Sequence, residues 1–500
     1  MTVINPKSIS GITSITMPSG ADNVLTIHTT DGTERLRVDS SGNVKVGSAC
    51  TISQDGDVFF TGVCTATTLT GAASGLTGAL PAISGANLTN LTAGNLTGAL
   101  PAISGANLTG IAATDNVRTG ILDVAGIATF RDTVNIPNIN GGQIGGKRNL
   151  IVNGAMNIAQ RSTSVTSSSG VGSVDRVHFS YGGIAQHIPQ AQVDVSSGTT
   201  PYTNGFRKAF RVTNANQGTA GSDDTVVILY RIEAQDLAQS GWNYTSSSSY
   251  VTLSYWVKSS VAQNFYVTLK SGDGTPQKYA TETGSLSENT WTKVTKTIPG
   301  NSNITFDNDN GEGLEIEWSL YRGTDQTGSM SLNAWAANNN SVRTPDQPVS
   351  WFQTNGATFE LTGVQLEVGS TATAFEHRSF GEELERCRRY YQVILDRSTD
   401  SGDDSGLGGT VYSSNGGVYV PIRFCPPMRT KPTVESSSNS NGFRTRHGDL
   451  VNFTSFTGFN TVSRHGGTLI TSTAGNKVVG DYYWIETDQG AAKLAVSAEL

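Results

Sequence analysis

The chain is 500 residues long, room for about three domains, and its 34 basic against 41 acidic residues give a net charge of −7. That balance excludes broad nucleic-acid binding, which needs a basic face. With 57 glycines, only 15 prolines, and 17 Phe, 15 Tyr and 7 Trp, the chain is neither collagen-like nor disordered.

Aromatic content divides the chain. No Trp or Tyr precedes Tyr181, so the first part cannot fill a wide core and reads as a thin structure. Leu36-Arg37-Val38 and Val44-Lys45-Val46 alternate around Gly42, and Val38, Gly42, Val44 and Val46 recur as Ile52, Gly56, Val58 and Phe60. Leu122, Gly126, Ala128 and Phe130 are a fainter copy. Alternation with Gly-marked turns means tightly joined β-strands. A second repeat, Leu76–Asn90, returns nearly unchanged as Leu96–Gly110. Fixed-period repeats mean a stacked array. One copy offers too little apolar surface to offset its conformational entropy, so parallel chains sharing an axis are expected: a homotrimeric fibrous β-shaft.

From about Lys147 the strands lengthen. Tyr250–Val257, Phe265–Leu269, Trp291–Ile298, Leu314–Leu320 and Thr358–Leu366 alternate, with Val251, Leu253, Tyr255 and Val257 on one face. This predicts an antiparallel β-sandwich over 147–378, with Asn149–Val152 as a strand. Ser379-Phe-Gly-Glu382 matches a capping box. Phe380, Leu384, Cys387 and Tyr391 then fall at helical spacing, predicting a short packed helix over 379–393 that joins the sandwich to a β-rich tip domain, 394–500. In the tip, Val418–Arg423 and Tyr482–Glu486 read as strands, and 402–409 and 436–442 as loops.

Motifs for chemistry are sparse. Gly141–Arg148 approaches a phosphate loop, but Arg148 stands where the magnesium-binding hydroxyl belongs. Asp307–Trp318 lacks oxygen ligands at Gly311 and Trp318, so it is a polar turn and not a calcium loop; Asp400, Asp403 and Asp404 read the same way. The six histidines show no metal pairing. Four cysteines without C-x-x-C spacing suit small buried or half-buried thiols. No nucleophile elbow is present, and the sequence cannot place a carboxylate pair. No cofactor and no catalytic residue is expected. Nor does any run approach the ~20 apolar residues of a membrane span, and Met1–Ser10 lacks the pattern of a signal peptide. Sugars present apolar C–H faces, so loop aromatics beside Asn, Asp and Gln suit glycans. Trp242, Tyr244, Trp335 and Trp351 have that setting. Tyr412 and His447 are the candidates in the tip. Trp256, Trp291 and Trp318 lie in alternating strands and are expected in the core.

Val3–Ile12, Asp31–Val38 and Thr61–Leu69 resemble the N-terminal region of tail-fibre proteins of cyanobacterial phages. Asn149–Asn157, Leu361–Gly369 and Phe375–Arg378 resemble the carbohydrate-binding-module-like jelly roll of phage fibres, and Glu383–Tyr391 and Met428–Thr433 resemble their distal domains. The resemblance implies a homotrimer in the virion tail. It would dock on tail or adaptor proteins through residues 1–50, followed by a shaft over 51–146, and its distal domains would meet host-cell surface glycan or lipopolysaccharide. It implies adhesion and no enzyme. The rivals are a polysaccharide-cleaving tailspike, and a head, collar or baseplate fibre without a receptor.

Overall fold

In the computed structural model the chain divides into two compact units, 1–123 and 124–500. The structure describes residues 24–63, 65, 148–166, 169–184, 187–215, 218–397, 406–412, 417–436, 442–471, 477–488 and 492–500. It is all-β, with four short α-helices among the described residues. The twenty-residue repeat, the fainter copy at 122–130, the phosphate-loop-like stretch before Arg148, and Asp400, Asp403 and Asp404 lie outside the described residues.

The first unit contains a five-stranded antiparallel meander: Leu25–His28, Glu34–Val38, Val44–Val46, Cys50–Ile52 and Val58–Phe60. Gly42 and Gly56 adopt φ of +87° and +89° at equivalent turns, conformations that a Cβ would strain, so the fourteen-residue period is a turn period. The sheet continues across residue 50. Apart from a shift between Ile27 and His28, its register runs regularly across all five strands. Leu25, Val38, Val44, Ile52 and Val58 make one cross-strand row, and Ile27, Leu36, Val46, Cys50 and Phe60 make a second. Both rows share one face; Thr26, Arg37, Lys45, Thr51 and Phe59 line the other. No described residue of this unit is buried.

The second unit begins with a sandwich of two six-stranded antiparallel sheets. One has the spatial order Trp335–Ala337, Gln277–Glu282, Tyr266–Ser271, Glu312–Arg322, Thr225–Glu233, His178–Gly182. The other runs Thr292–Pro299, Tyr250–Ser259, Thr358–Val368, Lys208–Thr213, Gln190–Asp194, Ser164–Val165. Val226, Ile228, Ile232, Leu314, Ile316 and Trp318 of the first meet Val251, Leu253, Tyr255, Val257, Phe359 and Leu361 of the second in one core. The alternation read from Val251 to Val257 is therefore the core face. Tyr255 and Trp318 pack edge to face, centroids 5.7 Å apart. Trp256 and Trp291 are instead half-buried in a smaller cluster around Phe206 on the outer side.

Asn149–Val152 is not a strand. The Asn149 side chain takes the place of a ladder: Oδ1 accepts from Ile151 and Leu366 N–H at 3.0 and 3.1 Å, and Nδ2 donates to the Val364 carbonyl. Asn153 then turns the chain at φ +61°. A Cβ on Gly154 would stand 2.1 Å from the Val364 carbonyl oxygen, so only glycine allows this approach.

The predicted N-cap forms: Ser379 Oγ accepts from Glu382 N–H at 3.2 Å, while the Glu382 carboxylate takes Arg386 at 2.9 Å, and the helix runs Phe380–Arg388. It is shorter than expected, because Tyr391 already begins the strand Tyr391–Asp396. The buried stripe is Glu383 and Cys387, while Phe380 is exposed. Glu383 turns inward because its carboxylate accepts the Asn153 N–H and faces Arg378.

The tip packs two sheets. Three strands, in the order Tyr391–Asp396, Lys493–Ser497, Thr433–Ser436, cover a seven-stranded sheet. The larger sheet runs Asp449–Phe453, Phe443–His447, Tyr482–Thr487, Gly406–Val411, Val418–Arg423, Gly466–Thr471, Phe456–Ser463. Phe443, Phe453, Val418, Val420, Leu469, Ile485 and Leu494 make its core. Gly406–Gly409, expected as loop, is a strand in the middle of that sheet. Cys425 is exposed, against the expectation for the thiols. No helix among the described residues is long and apolar enough to cross a membrane.

Candidate functional site

The six aromatic and histidine candidates do not converge. Trp242 is buried and donates Nε1–H to the Ser249 carbonyl; Tyr244 packs beside it against Phe306, centroids 4.6 Å apart. Trp351 is fully buried and donates Nε1–H to the Thr358 carbonyl. Neither Trp242 nor Trp351 has a face left for a ligand. Trp335 is half-buried at an edge strand, with Nε1–H on the Pro299 carbonyl at 2.7 Å, and borders a polar notch with Asn301 and Asn303. His447 stacks on Tyr483 at 4.7 Å and faces Asp481 at 3.5 Å. Only Tyr412, 78% exposed, joins a larger aromatic surface.

That surface is the outer face of the seven-stranded sheet. Along Tyr482–Thr487 side chains alternate: Tyr483 and Ile485 go to the core, while Tyr482, Trp484 and Glu486 face outward. Register places Thr410, Gly408 and Gly406 opposite these three. Arg446 and Arg444 lie opposite Trp484 and Glu486 on the other side. Tyr419 follows Thr410 in the next strand, and Tyr412 packs on Tyr419 with centroids 5.7 Å apart.

The two glycines decide the shape. A Cβ on Gly406 would stand 2.3 Å from Trp484 Nε1, and one on Gly408 would stand 1.5 Å from Tyr482 Oη. Both rings therefore lie over the neighbouring strand on backbone that carries no side chain. They sit two strand residues apart, about 7 Å, and stay 42% and 57% exposed. Large aromatics on a sheet face ordinarily seek cover.

A polar rim borders the rings. Arg446 donates Nε and Nη2 to Glu486 Oε1 at 3.1 and 2.8 Å, and Arg444 bonds both Glu486 and Asp488. Asn452 donates to Asp488 at 3.0 Å. Burial alone would raise the Glu486 carboxyl. The two arginines outweigh it and hold the group below the usual carboxylate range. The rim is thus ionised, tied down and rich in donors beside two flat apolar faces. Among the described residues no group of three or more His, Cys, Asp or Glu could hold a metal ion.

Tyr482 and Trp484 were absent from the sequence candidates because they stand within a strand, not a loop. The signal that would have found them is joint: Tyr482-Tyr-Trp484 alternation together with Gly406-Leu-Gly408 on the neighbouring strand.

Comparison with known proteins gives little. No family model matches the chain, and no curated protein matches it. Among solved structures, the enzymatically active domain of bacteriophage CBA120 tailspike protein 4 aligns at 9% identity and TM-score 0.23 over 44% of this chain, which spans 21% of that chain. The family 11 carbohydrate-binding module from Clostridium thermocellum aligns at 12% identity and TM-score 0.20, over 43% of this chain and 99% of its own. The tandem CBM22 domains of Paenibacillus barcinonensis Xyn10C align at 8% identity and TM-score 0.21, over 73% and 92%. Similarity at this level assigns the chain neither a family nor a ligand.

Proposed function

We propose that this chain is a phage tail-fibre-type adhesin that binds host-surface glycan through the Tyr482–Trp484 face of its tip, without cleaving it. The observation that carries the reading is the pair of exposed rings laid over Gly406 and Gly408. A flat apolar platform beside fixed arginine and carboxylate groups suits a sugar, whose C–H faces stack while its hydroxyls take hydrogen bonds. The sequence resemblance supports placement in a virion tail.

The same reading has three copies of the chain sharing the apolar face of the N-terminal meander. Two complete apolar rows on a single-layer sheet support that arrangement, because such a sheet gains its stability only when its face is covered. Three sites on one fibre raise avidity by ~10²–10⁴ without a new contact.

The test is binding of the full chain to a glycan array and to bacterial cells, against Trp484→Ala and Tyr482→Ala. Loss in both variants with unchanged melting supports the platform. Unchanged binding overturns it, and release of reducing ends from a bound polysaccharide would make the chain a tailspike enzyme.

A further inference from the structure

The sandwich sheet that carries Tyr250–Ser259 has a small pocket on its outer face. Val251, Leu253, Tyr255 and Val257 fill the core, so Ser254 and Trp256 of the same strand face outward. Lys293 stands opposite Trp256 on one neighbouring strand. On the other, the ladder pairs Ser254 with Gln365 but Trp256 with Thr362, so Gly363 and Val364 together oppose Tyr255. This is a β-bulge, and Gly363 within it adopts φ +63°. Phe206 lies over the bare glycine: a Cβ there would stand 2.7 Å from Phe206 Cζ.

The bulge and Phe206 form the floor of a pocket of about 170 Å³. Phe375 and the His377 ring pack on Phe206 with centroids 4.8 and 5.1 Å away, and on each other at 4.9 Å. Half-buried Trp256 adds a further aromatic group to the lining, and Ser254, Lys293 and Asn204 add polar groups. The volume is below the usual range of small-molecule sites. It suits one substituent or one sugar ring, not a stretch of polymer.

The polar groups here are left over by the fold. Ser254 is 3% exposed, yet its hydroxyl has no hydrogen-bond partner among the described residues. Its oxygen is not sealed within protein either, so it opens to the pocket that it lines. A buried hydroxyl without a partner is costly. Trp256 Nε1–H and the Lys293 ammonium also lack partners among the described residues. His377 Nε2 bonds the Asn204 carbonyl at 2.8 Å. Nε2 must donate there, so the neutral ring keeps Nδ1 as an open acceptor. No carboxylate lines the pocket, which leaves nothing to hold a cation.

An aromatic floor, donors without acceptors and an acceptor without a donor together select a ligand. A sugar hydroxyl has no methyl for the floor. A carboxylate has no N–H for Nδ1. An acetamido group has a methyl, a carbonyl and an N–H on three adjacent centres. We infer that this pocket takes the acetamido group of an N-acetylated sugar, with its methyl on the Phe206–Phe375 floor, its carbonyl accepting from Ser254 and Lys293, and its N–H donating to His377 Nδ1. The site uses no residue of the tip platform and does not rest on it.

The experiment is saturation-transfer NMR of triacetylchitotriose with the full chain carrying Trp484→Ala, which weakens the platform. Cellotriose, the same backbone without acetamido groups, and glucuronate are the parallel probes. The expected result is saturation strongest on the acetyl methyl of chitotriose, and none on cellotriose. Affinity should fall about tenfold in Ser254→Ala and in Lys293→Ala, the loss of one hydrogen bond each. Neither substitution breaks a bond within the protein, so melting should be unchanged in both. Methyl saturation that is absent, or unchanged by both substitutions, overturns the inference. Cellotriose or glucuronate binding as tightly as chitotriose overturns the choice of the acetamido group.

Discussion

Arg389 holds Glu233 through two parallel hydrogen bonds, Nε to Oε1 at 2.7 Å and Nη2 to Oε2 at 2.6 Å. Glu233 ends a sandwich strand and Arg389 follows the connecting helix, so the pair spans the seam between sandwich and tip. Tyr390 adds its hydroxyl to Oε1 at 2.5 Å and Gln235 its amide to Oε2 at 2.6 Å. Arg429 donates to the carbonyls of Asn310, Ala498 and Glu499, and Arg176 reaches Glu499 at 2.7 Å with its guanidinium 3.5 Å above the Tyr390 ring. The seam is a bonded joint, not a linker.

Removing Arg389 strands a buried carboxylate. Arg389→Ala should cost about 3 kcal/mol, the lower end for breaking a buried pair, since the arginine is partly exposed. The midpoint of urea unfolding reads it. Burial would raise the Glu233 carboxyl, but Arg389 and Tyr390 outweigh it and hold it below the usual range. A depressed folded pKa gives stability that is present above the unfolded value near 4.5 and lost as pH falls through the folded one. The advantage of the wild type over Glu233→Gln should therefore vanish in acid.

Asp175 should show the opposite sign. Burial pushes it up to about 6, against hydrogen bonds from Gln160 that pull the other way. A raised folded pKa gives stability that is full below the unfolded value of 3.8 and lost as pH rises through about 6. Asp175→Asn should be more stable than wild type at pH 7, by about 2 kcal/mol, and should lose that advantage towards pH 4. Thermal melting of the two proteins across this range decides it.

Trp351 and Trp484 should separate cleanly. Trp351→Ala opens the sandwich core and should cost about 3–5 kcal/mol; the milder Trp351→Phe should fold and bind glycan as wild type. Trp484→Ala should change the unfolding midpoint by under about 1 kcal/mol and weaken glycan binding about tenfold, ~1.4 kcal/mol. Chemical denaturation beside array binding tests both halves.

Gly408→Ala should act on Tyr482 from the strand beneath it. The added Cβ stands where the ring's hydroxyl now lies, so the ring must lift or turn. Binding should fall as far as in Tyr482→Ala although the tyrosine is present. Wild-type affinity in this variant would mean the ring's pose is irrelevant.

Solution mass tests the meander. Light scattering of the full chain should give about three times 52.6 kDa. Ile52→Glu, which puts a charge in the middle of an apolar row, should reduce that mass. A wild-type monomer would remove the shared-face arrangement.

The sequence showed the sandwich and the capped helix well, because their signals are local. Val251–Val257 alternates over one strand, and Ser379 and Glu382 are three residues apart. It failed where a distant partner decides. Asn149–Val152 has strand composition but is diverted by the bonds of Asn149 to a strand more than 200 residues later. Gly406–Gly409 looked like loop because glycine lacks strand propensity, yet two rings from another strand need that space. Loop context marked Trp242 and Trp351 as candidates, whereas their neighbours in space made them core.

The bonded seam also sets how a pull on the tip would reach the sandwich. Force entering at Trp484 would pass through the tip's sheets to Arg429, Arg389 and Glu499, and from there into Asn310, Glu233 and Arg176 of the sandwich. Because these contacts lie in parallel, no single one bears the whole load. In the proposed fibre, tethered at one end and gripping at the other, the joint would transmit torque to the sandwich instead of swivelling.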